Sequence, residues 1–386
     1  MKILHISKFY PPEPGGIESF VCDLAEEQVR QGHEVCVLAH QSEFNKPTCR
    51  EQINGVKVRR IRTFGQAAYA PLTPEFPLHL LSSIRTFRPD VIHAHLPNIS
   101  AFWLLFIKKL CPLVLHWHAD VVASPIDRKM GLLYNFYKPW EALLLKKADR
   151  VIATSNAYLH ASRPLSGFKE KIQVVPLGIN PARLEGSLSG GKPSKPDSSF
   201  KVLSVGRFAY YKGFEYLVAA AEKVPDAKFI LVGDGPRYLS IKKLVSQKGL
   251  QDRVVLPGQV DTDRLRQLFS DCDLFCLPSI ERTEAFGMVL LEAMSLGKPL
   301  LTTKIAGSGV NEVNIDGVTG MQVPPADAVA LAEAINTMRG QVSACRQMGE
   351  AARRRFEKCF HISSVAAQIE RLYEWVYEWG RTCLNH

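Results

Sequence analysis

Short apolar runs alternate with amphipathic stretches from residue 2 to residue 339, and that alternation dictates the layout of the fold. Residues 2–7 (KILHIS) make the first apolar run. A Pro/Gly loop follows, then an amphipathic stretch from about Glu18 to Gln31 that stops at Gly32, then a second run at Glu34–Ala39. The series continues through Val56–Ile61, Val91–Ala94, Leu113–His116 and Arg150–Thr154. Strands separated by helices pair through crossovers, so the pattern predicts an α/β fold with a mainly parallel sheet covered by helices. Residues 185–199 (EGSLSGGKPSKPDSS) interrupt it with the composition of an exposed linker. A second series places strands at 200–205, 228–233, 253–256, 273–277 and 299–303. Its helices fall at 213–223, 236–248, 261–270, 286–296 and 326–339, with a short segment at Gly320–Val323. Helical spacing returns from about Val365 to Trp379. At 386 residues the chain is too long for one ordinary core, and it divides into domains at 1–183 and 200–364 joined by a linker at 184–199.

Composition narrows the class. Hydrophobic residues are 46% and charged residues 22%, which excludes disordered, collagen-like and coiled-coil chains. The longest apolar run, Ile99–Ile107, closes at Lys108 and Lys109, well short of the roughly 20 residues a membrane span needs. The N-terminus reads as a strand without a secretory h-region, and nine cysteines without framework spacing fit reduced thiols, so a cytoplasmic protein is expected. The net charge of +10 favours an anionic partner such as a phosphorylated ligand or an anionic membrane face. No nucleic-acid-binding module accompanies it, and nucleic acid is not expected as a partner.

In open α/β sheets, ligands bind outside the carboxyl ends of the strands. Four loops there carry unusual residues. In Pro11–Glu18 (PPEPGGIE), Gly15 and Gly16 open a helix whose free amides would attract phosphate, although a structural turn reads the same way. Gly206–Gly213 (GRFAYYKG) sets Arg207 and Lys212 just beyond a strand, as a diphosphate site would or a solvated surface pair. Gly233–Gly235 (GDG) fits close backbone approach to a ligand or an ordinary tight turn. In Glu284–Glu292 (EAFGMVLLE), two carboxylates flank a hydrophobic helix start opened by Phe286 and Gly287, with Glu292 about two turns along. One carboxylate can hold a sugar while the other holds a ribose diol, although a pair of glutamates at this separation is also common by chance.

PPEPGGIE, GRFAYYKG, LVGDGP, LPGQVD, EAFGMVLLEAMSLGKPLLTT and DGVTG together resemble glycosyltransferase family 4, retaining enzymes of the GT-B fold. The resemblance implies two Rossmann-like domains facing each other across a cleft, the first binding acceptor and the second a nucleotide sugar. It also implies a C-terminal helix, about 365–386, packing back on the first. By that resemblance, Arg207 and Lys212 hold the donor diphosphate, Glu284 binds sugar hydroxyls and Glu292 the ribose. Amides near Phe286, Gly287, Met288 and Val289 meet phosphate, Gly258 to Val260 flank the base, Gly16 lies near the distal phosphate and acceptor, and His118 lies near the transferred sugar. The stretch Ala306–Glu312 (AGSGVNE) carries one small residue more than the family's Gly-Gly-x-x-Glu. Its wording resembles bacterial O-antigen and polysaccharide mannosyltransferases, so GDP-mannose is favoured over UDP-hexoses, with a lipid-linked or growing cell-surface glycan as acceptor. A nucleotide-sugar epimerase and a non-catalytic sugar-nucleotide-binding protein are the alternatives from other classes.

Other motifs are discounted. Asp261-Thr-Asp263 and Asp271-Cys-Asp273 match a metal motif, but Asp261 is placed to cap a helix and Asp273 to start a strand. No metal or other cofactor is therefore expected. His93/His95 and His116/His118 are i, i+2 pairs on strand ends for which packing, not zinc, is the expectation. Cys272 and Cys276 read as packing residues. Ala101–Lys109 (AFWLLFIKK) and Lys129–Lys147 (KMGLLYNFYKPWEALLLKK) fit core helices with basic ends or, through Lys129, Lys138, Lys146, Lys147, Phe136 and Trp140, peripheral contact with an anionic inner leaflet.

Overall fold

A computed structural model of the chain describes residues 1–67, 70–121, 128–184 and 199–384, so nearly all of the expected linker lies outside the described residues. Two compact units result: Met1–Ile179 with Ile362–His386, and Asn180–His361.

The N-terminal unit runs β1 (Lys2–Ile6), α1 (Gly16–Arg30), β2 (Glu34–Phe44), β3 (Cys49–Ile53), β4 (Val56–Thr63), β5 (Gly65–Ala67), β6 (Ala70–Leu72), α2 (Phe76–Phe87) and β7 (Val91–Leu96). After a 3₁₀ segment at Ile99–Phe106 come β8 (Leu113–Trp117), α3 (Arg128–Lys147), β9 (Arg150–Ala153), α4 (Asn156–Ala161) and β10 (Ile172–Val174). Eight strands form one sheet in the order β10-β9-β8-β7-β1-β2-β4-β3, parallel except for β3 against β4. That hairpin was not part of the alternation. It turns at Asn54-Gly55, both with positive φ (47° and 86°), the backbone a tight hairpin demands. β7 and β8 are buried along their whole length, as central parallel strands covered on both faces must be. Residues 101–109 fall largely in the 3₁₀ segment and not in an α-helix.

The second unit continues with β11 (Phe200–Val205), α5 (Phe214–Glu222), β12 (Ala227–Val232), α6 (Tyr238–Gln247), β13 (Val254–Gly258), α7 (Thr262–Asp271) and β14 (Leu274–Leu277). It closes with α8 (Met288–Ser295), β15 (Leu300–Thr303), α9 (Val310–Val313), β16 (Gly320–Val323), α10 (Ala328–Gly340) and α11 (Val342–Cys359). Its six strands are all parallel in the order β13-β12-β11-β14-β15-β16. Phe208, Phe214, Leu217, Phe229 and Ile335 sit in its core.

The last helix, α12 (Ile362–Leu384), belongs to the N-terminal unit. Glu370 pairs with His33 at 2.8 Å, and the buried Tyr373 hydroxyl lies 2.5 Å from His93 Nδ1 and accepts from Gln28 Nε2 at 3.4 Å.

Candidate active site

Strand order in the second unit reverses between β11 and β14, where an open parallel sheet leaves a crevice at its carboxyl edge. The loops after these two strands hold Lys212 and Glu284. Lys212 Nζ donates to Glu284 Oε2 at 2.5 Å, and both residues are 8% exposed. Burial works against the Lys212 ammonium, but the Glu284 carboxylate beside it outweighs that cost and holds its pKa above the ordinary 10.5. An ammonium has three donors, so the pair leaves two for a further anion. Backbone constraints set the lysine in place. Gly213, next to it, has φ +65°, and a Cβ there would stand 2.2 Å from the Pro278 carbonyl oxygen.

Two hydroxyls fix Glu284. Ser279 Oγ donates to Glu284 Oε2 at 2.9 Å, and Ser308 Oγ donates to the Glu284 backbone oxygen. Gly309 N donates to the Ala285 carbonyl at 2.8 Å, so the Ala306–Glu312 stretch braces the glutamate loop from behind. Neither serine was picked out by sequence reasoning. The only available signal was small polar residues in two loops that the sheet brings together.

Arg207 is exposed at the same edge, just after β11. Gly258 ends β13 and Val260 follows it, two strands away from β11 along the sheet. The three loops are laced together: Gly206 N donates to Val232 O at 3.0 Å, Phe208 N to Asp234 O at 2.9 Å, and Gly233 N to Gly258 O at 2.9 Å. Gly287 caps α8 with φ +79°, and Met288 and Val289 form its first turn, half-buried. Phe286 is different. It was expected to open this helix, but it stands before the cap, buried to 4% exposure, with its ring edge-on to Phe360 at 6.1 Å. Its bulky ring is drawn into the core, and the helix amides begin beyond it. Glu292, half-buried, is the fifth residue of α8 and so about one turn from its start, not two. Asp261 caps α7 by accepting from Arg264 N at 2.8 Å, and Asp273 accepts from Lys201 N at 2.8 Å.

The N-terminal unit also has its order reversal, between β1 and β7. Gly16 is the first residue of α1, in the connection that follows β1. A Cβ on Gly15 would fall 2.0 Å from Glu18 Oε2, so the glycine makes room for that carboxylate, whose pKa burial pushes up. His118 lies just past β8 and is 3% exposed. Its Nε2 is 3.0 Å from His95 Nδ1, and its Nδ1 is buried without a partner among the described residues.

Two profiles divide the chain: "Glycosyltransferase Family 4" matches residues 14–183 and "Glycosyl transferases group 1" residues 190–355. The chain is 29% identical to O-antigen chain mannosyltransferase C of Escherichia coli over 98% of its own length and 99% of that protein's. It is 30% identical to an uncharacterized glycosyltransferase of Methanocaldococcus jannaschii, covering 86% of this chain and 87% of the other. Among solved structures, sucrose-phosphate synthase from Thermosynechococcus elongatus superposes with a TM-score of 0.79 at 26% identity, covering 98% and 99% of the two chains. Two Rossmann-like units and a charged pair at the switch point of the second therefore belong to a glycosyltransferase of the GT-B fold. The chain is a member of glycosyltransferase family 4.

Proposed function

We propose that the protein is a retaining hexosyltransferase that takes its sugar from a nucleoside diphosphate, with GDP-mannose favoured, and delivers it to a hydroxyl of a lipid-linked or growing cell-surface glycan. The buried Lys212–Glu284 pair carries this reading: a cation for the diphosphate and a carboxylate for the sugar stand 2.5 Å apart. The acceptor hydroxyl attacks the anomeric carbon on the face from which the diphosphate leaves. Its proton passes to the departing phosphate oxygen. Lys212, Arg207 and the first amides of α8 stabilise the charge that develops on that oxygen. Glu284, fixed by Ser279 and Ser308, orients the sugar and supports the cationic character of its anomeric carbon. Glu292 holds the ribose hydroxyls, and the Gly258–Val260 segment flanks the base. The likeness to an O-antigen mannosyltransferase favours GDP-mannose over UDP-hexoses.

A thermal-shift panel of GDP-mannose, UDP-glucose, UDP-galactose and the N-acetylhexosamine donors tests this, since a ligand that binds only the folded state raises the midpoint. GDP-mannose is expected to raise it most, equally with and without EDTA, because side-chain cations and helix amides take the place of a metal. A shift that requires Mn²⁺ and disappears in Asp271→Ala would return the metal to the reaction.

The acceptor reading extends to where the enzyme works. No helix among the described residues is long and apolar enough to cross a membrane. The 3₁₀ segment and α3 instead expose Trp103 (40%), Phe106 (67%), Phe136 (72%) and Trp140 (43%), and the Phe106 ring centroid is 5.8 Å from Trp103 and 5.9 Å from Trp140. Lys138 and Lys146 are exposed on α3, and Lys108 is exposed two residues past the 3₁₀ segment. Lys147 drops out of the expected set, because its ammonium donates to the Leu104, Leu105 and Ile107 carbonyls at 2.6, 3.3 and 2.7 Å. The side chain of Lys129 lies outside the described residues. The remaining lysines contribute about 1 kcal/mol each near an anionic surface, and the aromatic tips anchor in it. Flotation is expected with anionic vesicles at low salt and to weaken at high salt; equal binding to neutral vesicles would remove the electrostatic part.

A further inference from the structure

A cavity of about 450 Å³ opens between α2 and the strands β2, β4 and β3 of the N-terminal unit. Its wall is basic. Arg50 on β3 and Lys57 and Arg59 on β4 line it, against one acidic residue, Glu51. Ser83 of α2 and Cys36 of β2 line it as well. Cys36, Lys57 and Arg59 belong to the amino-terminal halves of their strands, so the cavity is not part of the carboxyl edge that carries Gly16 and His118.

Two of the four charged groups are already matched. Glu51 accepts from Arg60 Nε at 2.5 Å, and Lys57 Nζ donates to Glu34 Oε2 at 3.2 Å. Arg50 and Arg59 are not: neither has a carboxylate within ion-pair distance among the described residues. Arg59 is 7% exposed. Its Nη1 donates to the His79 carbonyl at 3.2 Å and to Ser83 Oγ at 2.9 Å, which leaves Nε and Nη2 without a partner among the described residues. The two arginines also stand directly opposite each other in the antiparallel β3–β4 pair, where like charges repel. Burial first, and the Arg50 charge second, push the Arg59 pKa below its ordinary 12.5. The carboxyl end of α2 offsets only about half a charge.

A buried cation without a counter-charge is destabilising, and a second cation across the ladder makes it more so. A doubly charged anion between the two guanidinium groups reverses both effects. Each group offers a planar fork of N–H donors, the geometry that suits the oxygens of a phosphoryl group. Ser83 Oγ accepts from Arg59 and keeps its own proton to donate to the same anion. A carboxylate, with a single charge, would leave one arginine unmatched.

We propose that the cavity between α2 and the β3–β4 hairpin is a phosphate site separate from the candidate active site, in which Arg50 and Arg59 bind the phosphoryl group of inorganic phosphate or of a phosphomonoester. Calorimetric titration of the full chain with inorganic phosphate in chloride buffer tests it. Wild type is expected to bind, and Arg50→Gln, an exposed position on an edge strand, to weaken binding about tenfold or more, the scale of one lost charge-assisted contact. Lys212→Ala controls for phosphate taken up by the second unit and is expected to leave this binding in place. Thermal melts give a readout of opposite sign. Without phosphate, Arg50→Gln is expected to melt above wild type, because Arg59 loses its repelling neighbour. Phosphate is expected to raise the wild-type midpoint and to leave that of Arg50→Gln nearly where it was. Vesicles of phosphatidylcholine carrying either phosphatidic acid or phosphatidylglycerol separate the sources of the phosphoryl group. A loss of flotation by Arg50→Gln confined to phosphatidic acid would assign it to a lipid headgroup, and flotation equal to wild type on both would assign it to a soluble phosphate. Absence of phosphate binding in wild type, binding that is unchanged in Arg50→Gln, or binding that disappears in Lys212→Ala would overturn the site.

Discussion

Acidification from pH 7.5 to pH 5 is expected to unfold the N-terminal unit while the second unit stays folded. His5, His40, His93, His95, His116 and His118 are all buried in the first unit. Desolvation holds His5 and His40 neutral down to about 4 and His118 down to about 3, and keeps the others well below their ordinary 6.5. The unfolded chain protonates each near 6.5. Below that pH the unfolded state binds more protons, so stability falls as pH falls, by about 1.4 kcal/mol per pH unit for each histidine. Six together reach ~8 kcal/mol per unit within the window, on the scale of a domain's whole stability of roughly 5–15 kcal/mol. Above 6.5 the contribution is complete and flat. No histidine is buried in Asn180–His361 among the described residues. Thermal melts at pH 7.5, 6 and 5 should show one transition moving down steeply and another nearly fixed, and limited proteolysis should assign the first to residues 1–179. Melts that do not change over this range would mean the histidines are hydrated in solution.

Glu284→Ala is expected to cost both stability and turnover. It strands the Lys212 ammonium, 8% exposed, without its counter-charge and leaves Ser279 Oγ without its acceptor. Breaking one side of a buried pair costs about 3–5 kcal/mol, enough to lower the midpoint of the second unit by many degrees. Glu284→Gln keeps the volume and the serine contact but not the charge, so it should fold better and still turn over poorly. In both, turnover should fall more than nucleotide affinity, because the role proposed for the carboxylate is at the sugar and not at the diphosphate. Lys212→Ala should reverse that order by weakening diphosphate binding as well, at about 2–4 kcal/mol in the transition state. Wild-type turnover by Glu284→Ala on the matched donor and acceptor would displace the glutamate from the reaction.

What could be read in advance was local. The strands of both units stood out because central parallel strands are continuous apolar runs, and the loops after them were marked by glycine, arginine, lysine and glutamate. The hairpin at Asn54-Gly55 was equally legible, since that dipeptide is a strong turn signal, but an expectation of pure alternation passed over it. Helix α11 was missed although Cys345, Met348, Ala352 and Phe356 keep helical spacing through a charged stretch. The partnership of Lys212 and Glu284 was not legible from spacing. Those residues are 72 apart in sequence, and they meet because β11 lies beside β14. The same holds for His5, His95 and His118: His95 and His118 were visible as polar residues at strand ends and His5 was not singled out, but the three meet because β1, β7 and β8 are neighbours. Adjacency of strands is a property of topology, and no window along the sequence contains it.

The return of α12 to the N-terminal unit has a consequence for the order of events on the ribosome. Residues 180–361 supply every strand of their own sheet and emerge together, so that unit can close as soon as it clears the exit tunnel. The unit translated first cannot. Its buried Tyr373, the partner of both Gln28 and His93, is translated after the whole of the other unit, which leaves both of them unsealed until then. Early translation and late completion make the first unit a natural client of holding chaperones, and a stop codon just before residue 362 would release a chain in which the second unit is whole and the first has never been finished.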